Sequence, residues 1–454
     1  MAKVKKAWVC QSCGAQHPQW LGQCKSCGSW NTLVEEITET AEPRGARFAD
    51  PASGRRSVPT PLVQVALRED QRLPTGDGEL DRVLGGGIVP GSLVLLGGEP
   101  GIGKSTLMLQ VALHMAHHVL YVSGEESAQQ IRMRADRIGF TGDGCTLLTE
   151  TSTSAILEHA ERIQPDIVII DSIQTLHSPM LDAVPGSVSQ IRESAAEFLR
   201  FSKSRHIPVF LIGHITKEGT LAGPKVLEHM VDVVLQFEGD PNHLYRLLRS
   251  HKNRFGSTAE IGLYQMGTNG LEEVHNPSDF LLSQRTETLS GTAVGVMMEG
   301  ARPFLLEIQS LVSSAVYGTP QRTSTGFDTK RLNMLLAVLE KRCGFRLGAK
   351  DVFLNITGGL RVDDPALDMA VVAAILSSDT DIALPKGVCF AGEIGLAGEI
   401  RPVQRLDQRI AEAKKLGFDT LFYAPHPKLH PESVPGIQLV PIHRVEHLVS
   451  ALFG

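Results

Sequence analysis

The feature that most constrains this chain is the run Gly97-Gly98-Glu99-Pro100-Gly101-Ile102-Gly103-Lys104-Ser105-Thr106. It fills every fixed position of the phosphate-loop pattern G-x-x-x-x-G-K-[ST]. The apolar run Ser92-Leu93-Val94-Leu95-Leu96 before it reads as a buried strand, and the apolar spacing of Leu107 to His114 after it suits a helix. In that strand–loop–helix unit, glycines let backbone N–H groups converge on phosphate oxygens and the helix N-terminus favours negative charge. Lys104 can reach the β- and γ-phosphates of ATP, and Ser105 can ligate Mg²⁺. Gly98 to Thr106 are therefore expected to bind the nucleotide.

Four of the seven cysteines stand together as Cys10-x-x-Cys13 and Cys24-x-x-Cys27. Each pair suits one knuckle turn, and two such turns present four thiolates tetrahedrally to Zn²⁺. Gly14, Gly22 and Gly28 are expected to ease the turns, and Trp8, Trp20 and Trp30, all the tryptophans of the chain, to form a miniature core beside the metal. Lys3, Lys5, Lys6 and Lys25 occur with no acid before Glu35. That suits nucleic acid or an acidic protein face, and equally a solvated surface. Cys145, Cys343 and Cys389 are scattered and read as core or incidental.

Downstream, Val119 to Ser123 reads as a strand ending at Gly124-Glu125-Glu126-Ser127, ahead of a helix over Ala128 to Ile138. A carboxylate at a strand end beside the phosphate loop can orient attacking water, and Glu125 is the candidate base; the adjacent acids also suit the N-terminal charges of a helix. Ile167 to Ser172 reads as a buried parallel strand with an acid at its end, Asp171, which is expected to hold Mg²⁺ through water. Pro208 to His214 is another, with His214 the candidate γ-phosphate sensor. Two Gly/Pro-bearing segments, 178–189 and 217–225, are expected loops, the second offering Lys217 and Lys225 to a phosphate chain. Leu244 to Ser250 reads as a strand delivering Lys252-Asn253-Arg254-Phe255-Gly256. On an extended chain Lys252 and Arg254 point the same way, as for an anion.

The cysteine knuckle, the phosphate loop, Gly124–Ser127, the Asp171 strand, the 217–225 loop and the pentapeptide 252–256 occur in an order that resembles the bacterial RadA (Sms) family of DNA repair proteins over essentially the whole chain. The resemblance implies an α/β RecA-like ATPase core with a mainly parallel sheet and flanking helices, organised like hexameric replicative helicases. It further implies binding of single-stranded and branched DNA, branch migration of recombination intermediates, a homohexamer and a recombinase filament as a further partner. Lys252 and Arg254 would then complete a neighbour's nucleotide site.

The remainder resembles the proteolytic domain of Lon proteases, an α+β fold. Gly291–Glu299 and Pro303–Gln309 read as a hairpin, Lys330–Lys341 as an amphipathic helix and Asp351–Ile356 as an alternating strand. Ala366 stands where that family has its nucleophilic serine, and Asp407 is matched to its lysine base, so no protease activity is expected. Lys330, Arg331 and Lys350 are candidates for a basic surface. The expected organisation is a zinc knuckle over 1–34, a linker over 35–60, the ATPase over 61–272, a linker over 273–288 and the Lon-like domain over 289–454.

Composition narrows the class. No apolar run reaches transmembrane length, and the basic N-terminus leads into cysteines rather than a signal core, so a cytoplasmic protein without membrane contact is expected. A formal net charge of −6 requires that DNA meet a local groove or an oligomer channel, and aromatic content of 5% leaves little for base stacking. A DNA-stimulated motor is favoured over a protease and over an ATP-gated scaffold resembling clock-type ATPases, which leaves the knuckle and the 252–256 pentapeptide unexplained.

Overall fold

The computed structural model describes residues 5–12, 14–38, 61, 72–139, 142, 144–214, 225–239, 245–276, 278–282, 289–315, 319–357, 361–425 and 434–454. They fall into two compact units, one made of Met1–Gly239 and Arg246–Glu273, the other of Asp240–Tyr245 and Val274–Gly454. No described helix is long and apolar enough to cross a membrane.

At the N-terminus, β1 (Lys5–Cys10) pairs antiparallel with β2 (Gln16–His17) and β3 (Leu33–Thr38). The two knuckle turns repeat one geometry. Gly14 donates its N–H to the Cys10 carbonyl at 2.8 Å and Gly28 to that of Cys24 at 2.9 Å, each glycine in the left-handed region that closes such a turn at no steric cost.

The rest of the first unit is a mainly parallel sheet clad on both faces. Its strands are β4 (Leu93–Gly98), β5 (Val119–Ser123), β6 (Cys145–Thr149), β7 (Ile167–Asp171), β8 (Val209–His214), β9 (Val233–Gly239), β10 (Tyr245–Asn253), β11 (Ile261–Gly267) and β12 (Gly270–Glu273). They lie in the order β12-β11-β10-β9-β4-β8-β7-β5-β6. β9, β4, β8, β7, β5 and β6 run parallel, and β10 returns antiparallel on β9. Alternate residues feed opposite cores. Val94, Leu96, Tyr121, Ile169 and Phe210 pack with helices α1 (Gly78–Leu84), α2 (Lys104–His114) and α3 (Ala128–Ile138). Leu93, Leu95, Val122, Ile170 and Leu211 pack with α4 (Thr153–Ile163), α5 (Val188–Arg205) and α6 (Lys225–Met230). Caps fix the ends: Asp77 accepts from Leu80 N–H at 2.7 Å, and Ser127 forms a capping box with Gln130.

In the second unit, α7 (Ser278–Leu281) precedes the expected hairpin, β13 (Thr292–Glu299) and β14 (Arg302–Ser314). There follow β15 (Arg322–Thr325), α8 (Thr329–Cys343), β16 (Lys350–Ile356), α9 (Asp368–Thr380) and β17 (Val388–Ala391). A small ladder, β18 (Glu393–Ile394) with β19 (Ile400–Arg401), leads to α10 (Leu406–Lys415), β20 (Thr420–Tyr423), β21 (Gln438–Pro441) and α11 (Val445–Phe453). The sheet order is β15-β16-β14-β13-β17-β20-β21, with α9 buried from Asp368 to Ser377.

Candidate functional site

β4 delivers the phosphate loop at its C-terminal end. A Cβ on Gly98 would lie 2.7 Å from the Phe237 carbonyl oxygen on β9, so the strand passes its neighbour only as glycine. Glu99, Pro100 and Gly101 are exposed, Ile102 is buried as an anchor, and Gly103 (φ 114°) opens α2 without any side-chain cap. The first-turn N–H groups of α2 thus face the loop, a site for anions.

Lys104 is buried beneath that loop. Its Nζ donates to the carbonyls of Gly98 at 2.7 Å and Glu99 at 2.8 Å and lies 3.3 Å from His214 Nδ1 at the end of β8. Burial pulls its ammonium down to about 8, against the opposing pull of Asp171, Glu125 and Glu99. Ser105, in the first turn of α2, hydrogen-bonds the Asp171 carboxylate, which also accepts from the Tyr121 hydroxyl at 2.7 Å. Burial holds the Asp171 carboxyl above the ordinary carboxylate range. A hydroxyl and a carboxylate brought together from α2 and β7 are the oxygen donors a hard divalent cation takes, so the pair fits Mg²⁺.

The two adjacent acids after β5 part company. Glu126 pairs with Arg134 on α3. Glu125 turns toward the loop, where Oε1 accepts from the Ser172 hydroxyl at 2.5 Å and lies 3.5 Å from His214 Nε2. Lys104, His214, Glu125 and Ser172 form one contiguous polar chain. Ser172 and Tyr121 were not evident as site residues; their only sequence signal is a polar side chain next to, or one strand away from, Asp171.

Lys252 and Arg254 lie elsewhere. Lys252 Nζ donates to the carbonyls of Glu228 and Val231, both at 2.7 Å, behind α6, and Arg254 Nη1 lies 3.4 Å from buried Asp232. Burial and the neighbouring Arg254 hold the Lys252 ammonium below its ordinary value. Asn253 points the opposite way, toward the Val83 and Leu84 carbonyls. Arg254 N–H bonds the Asp232 carbonyl, and Asp232 N–H bonds that of Leu93, the first residue of β4. The five steps from Leu93 to Gly98 at ~3.3 Å each put the cations about 16 Å along the sheet from the phosphate loop of their own chain. Lys217 lies outside the described residues, and Lys225 opens α6, its side chain likewise outside.

In the knuckle, the thiol sulfurs of Cys10, Cys24 and Cys27 lie within 4.8 Å of one another, Cys10 and Cys27 at 3.7 Å. Thiolates sharing one tetrahedral Zn²⁺ stand about 3.8 Å apart, so the cluster fits that ion. Cys13 lies outside the described residues. His17 Nε2 approaches Cys24 Sγ at 3.4 Å. The expected tryptophan core does not form as such. Trp8 packs on the Cys10–Cys24–Leu33 cluster, but Trp20 is 52% and Trp30 69% exposed.

Two readings of the second unit need correction. Asp407 is not beside Ala366: it is exposed in the first turn of α10, whereas Arg409, two residues and over half a helical turn on, is buried. Arg409 Nη2 donates to Asp364 Oδ2 at 2.7 Å, and Asp364 Oδ1 accepts from Ala366 N–H at 3.0 Å. The cation near Ala366 is therefore Arg409, which cannot serve as a base. Nor do Arg331 and Lys350 make an open basic surface with Lys330. Arg331 forks onto fully buried Asp368 at 2.7 and 2.5 Å, and Lys350 pairs with Asp379.

Comparison with known proteins bears on both units. Residues 60–220 match the family described as AAA domain, residues 8–35 the Rubredoxin metal binding domain, and residues 310–426 Subunit ChlI of Mg-chelatase. The chain is 50% identical to DNA repair protein RadA of Streptococcus pyogenes serotype M1 and 45% identical to DNA repair protein RadA of Bacillus subtilis strain 168, each over 100% of both chains. Among solved structures, the RadB recombinase is similar at 22% identity and a TM-score of 0.37, covering 45% of this chain and 100% of that one. The ATPase domain takes ATP with Mg²⁺ and the rubredoxin-type segment takes Zn²⁺, groups that the oxygen pair and the thiol cluster fit.

Proposed function

The chain belongs to the family of DNA repair protein RadA, and we propose that it is a DNA-dependent ATPase of homologous recombination and repair. In this reading it works in the cytoplasm as a homohexamer, binds single-stranded DNA and drives branch migration of branched intermediates, with a recombinase filament as a further partner. One observation carries the motor reading: Lys252 and Arg254 stand about 16 Å along the sheet from the phosphate loop of their own chain. Cations so far from the loop can complete a nucleotide site only across a subunit boundary.

Within that site the α2 N–H groups and Lys104 grip the phosphates. Ser105 and Asp171 hold Mg²⁺, which when bound neutralises phosphate charge. Glu125 accepts the proton of the attacking water, and His214, touching both Lys104 and Glu125, senses the γ-phosphate. Lys217 and Lys225 engage the DNA backbone. The second unit serves assembly, since Ala366 is no nucleophile.

The test is strand displacement and branch migration on forked and three-stranded DNA, with electron microscopy of the particles. ATP-dependent extension of the heteroduplex, absent in Lys104→Ala, is expected. ATP hydrolysis that ignores DNA and moves no branch point would leave only an ATP-gated scaffold.

A further inference from the structure

We propose that Trp20 and Trp30 form a stacking platform for the unpaired bases of single-stranded DNA. This rests on the reading that the chain binds such DNA, and it assigns the knuckle a share of that binding.

Both indoles are more than half exposed, on a segment whose single packed tryptophan is Trp8. They flank Gly22: a Cβ there would lie 3.8 Å from Trp20 Cη2 and 3.8 Å from Trp30 Cζ3. Both rings thus come within ordinary contact distance of the Gly22 position, which makes the two indoles neighbours. Exposed indoles usually find a partner, because their large apolar faces cost free energy in water.

The charge around them selects the partner. Glu35 and Glu36 on β3 stand opposite Trp8 and Ala7 of β1, away from the indole-bearing stretch 18–32 in sequence, where Lys25 is the one charged side chain and no acid occurs. Gln23, Lys25 and Asn31, all exposed, supply hydrogen bonds around the rings. Aromatic faces beside cations are how proteins hold single strands without reading sequence. A duplex keeps its bases stacked on one another and offers no free face. The chain is acidic overall, and the acid-free stretch 18–32 with its exposed Lys25 spares a polyanion that repulsion.

The three tryptophans all lie in the knuckle, so intrinsic tryptophan emission of the full-length protein reports on this segment alone. The full-length protein is titrated with a fluorescein-labelled dT oligonucleotide, reading label anisotropy for binding, and with the unlabelled strand, reading tryptophan emission. The expected result is quenching by dT strands, with little quenching by an abasic strand of equal length or by a blunt duplex. Trp20→Ala with Trp30→Ala should weaken dT binding by about 5-fold or more with zinc content retained, and the corresponding Phe variants should restore it. Binding by anisotropy without quenching would reject the platform and leave the DNA-binding reading standing. Equal quenching by the abasic strand would reject stacking, as would recovery of the emission change only with a protein partner. No binding by either readout would sink both.

Discussion

Ser172 donates its hydroxyl to Glu125 Oε1 at 2.5 Å, joining the residue after Asp171 to the carboxylate that faces the phosphate loop. Glu126 is meanwhile tied to Arg134. Glu125→Gln should therefore retain ATP binding and lose about 10²–10⁴ in kcat, while Glu126→Gln stays within a few-fold of the parent. Because Ser172 acts through Glu125, Ser172→Ala should lower kcat with KM little changed, and should cost nothing further in the Glu125→Gln background. Steady-state kinetics of these four variants beside the parent decide the matter. Additive losses would make Ser172 a packing residue.

Lys104 gives a pH dependence with a definite sign. In the free protein burial pulls its ammonium down to about 8, and the charges of bound phosphates must raise that value. Binding above pH 8 therefore takes up a proton, and affinity for ATP should fall by up to about tenfold per pH unit there while staying nearly flat below. A fluorescent ATP analogue titrated from pH 7 to 10 would show it. The weak binding left in Lys104→Ala should lack the alkaline fall, and a flat parent profile would contradict the buried-ammonium account.

In the second unit, Ala366→Ser alone should give no peptidase activity, since the neighbouring cation is Arg409, spent on Asp364 and the Val296 carbonyl. Burial pulls the Arg409 guanidinium below its ordinary value, with Asp364 opposing, yet an arginine does not deprotonate in a protein. Truncating it leaves Asp364 without its partner in a largely buried pair, so Arg409→Ala should cost about 3–5 kcal/mol. Denaturant unfolding followed in this unit checks the cost, and casein or a fluorogenic peptide checks the activity.

How far these sites could be read from the sequence depended on what each residue's neighbours are. β5 begins and ends at the expected residues because it is a short apolar run closed by a polar residue, β7 stops at Asp171, one residue before the expected end, and α3 keeps its expected bounds because Ser127 and Gln130 cap it. Glu125 and Glu126 could not be separated by position alone; Arg134, a helical partner eight residues on, does that. Asp407 was confused with Arg409 because a two-residue slip leaves the local pattern plausible while rotating the side chain to the other face of α10. The exposed indoles were hidden for a different reason. Tryptophan beside cysteine reads as core, and spacing alone does not show which ring packs on the thiol cluster and which stay exposed.

The last prediction follows from the register that separates Arg254 from its own phosphate loop. Arg254 is more than half exposed and held by Asp232, which also pairs with Lys203 at 2.6 Å and accepts from Leu93 N–H at 3.0 Å. Its position is thus set by groups at the start of β4, while its guanidinium stays open to a neighbouring molecule. An arginine supplied in trans can contribute on the order of 10³–10⁵ in rate. Arg254→Ala should then lose DNA-stimulated hydrolysis although every other group of its own site is intact, and Lys104→Ala should lose it with Arg254 present. In rings mixed from the two variants, a boundary with Lys104 on one side and Arg254 on the other is complete. Part of the DNA-stimulated ATPase should return as the proteins are mixed, peaking near equal proportions. Mass photometry must verify that the rings are mixed. No recovery in such rings, or normal turnover by Arg254→Ala alone, would remove Arg254 from the neighbour's site and with it the argument that the nucleotide site is shared.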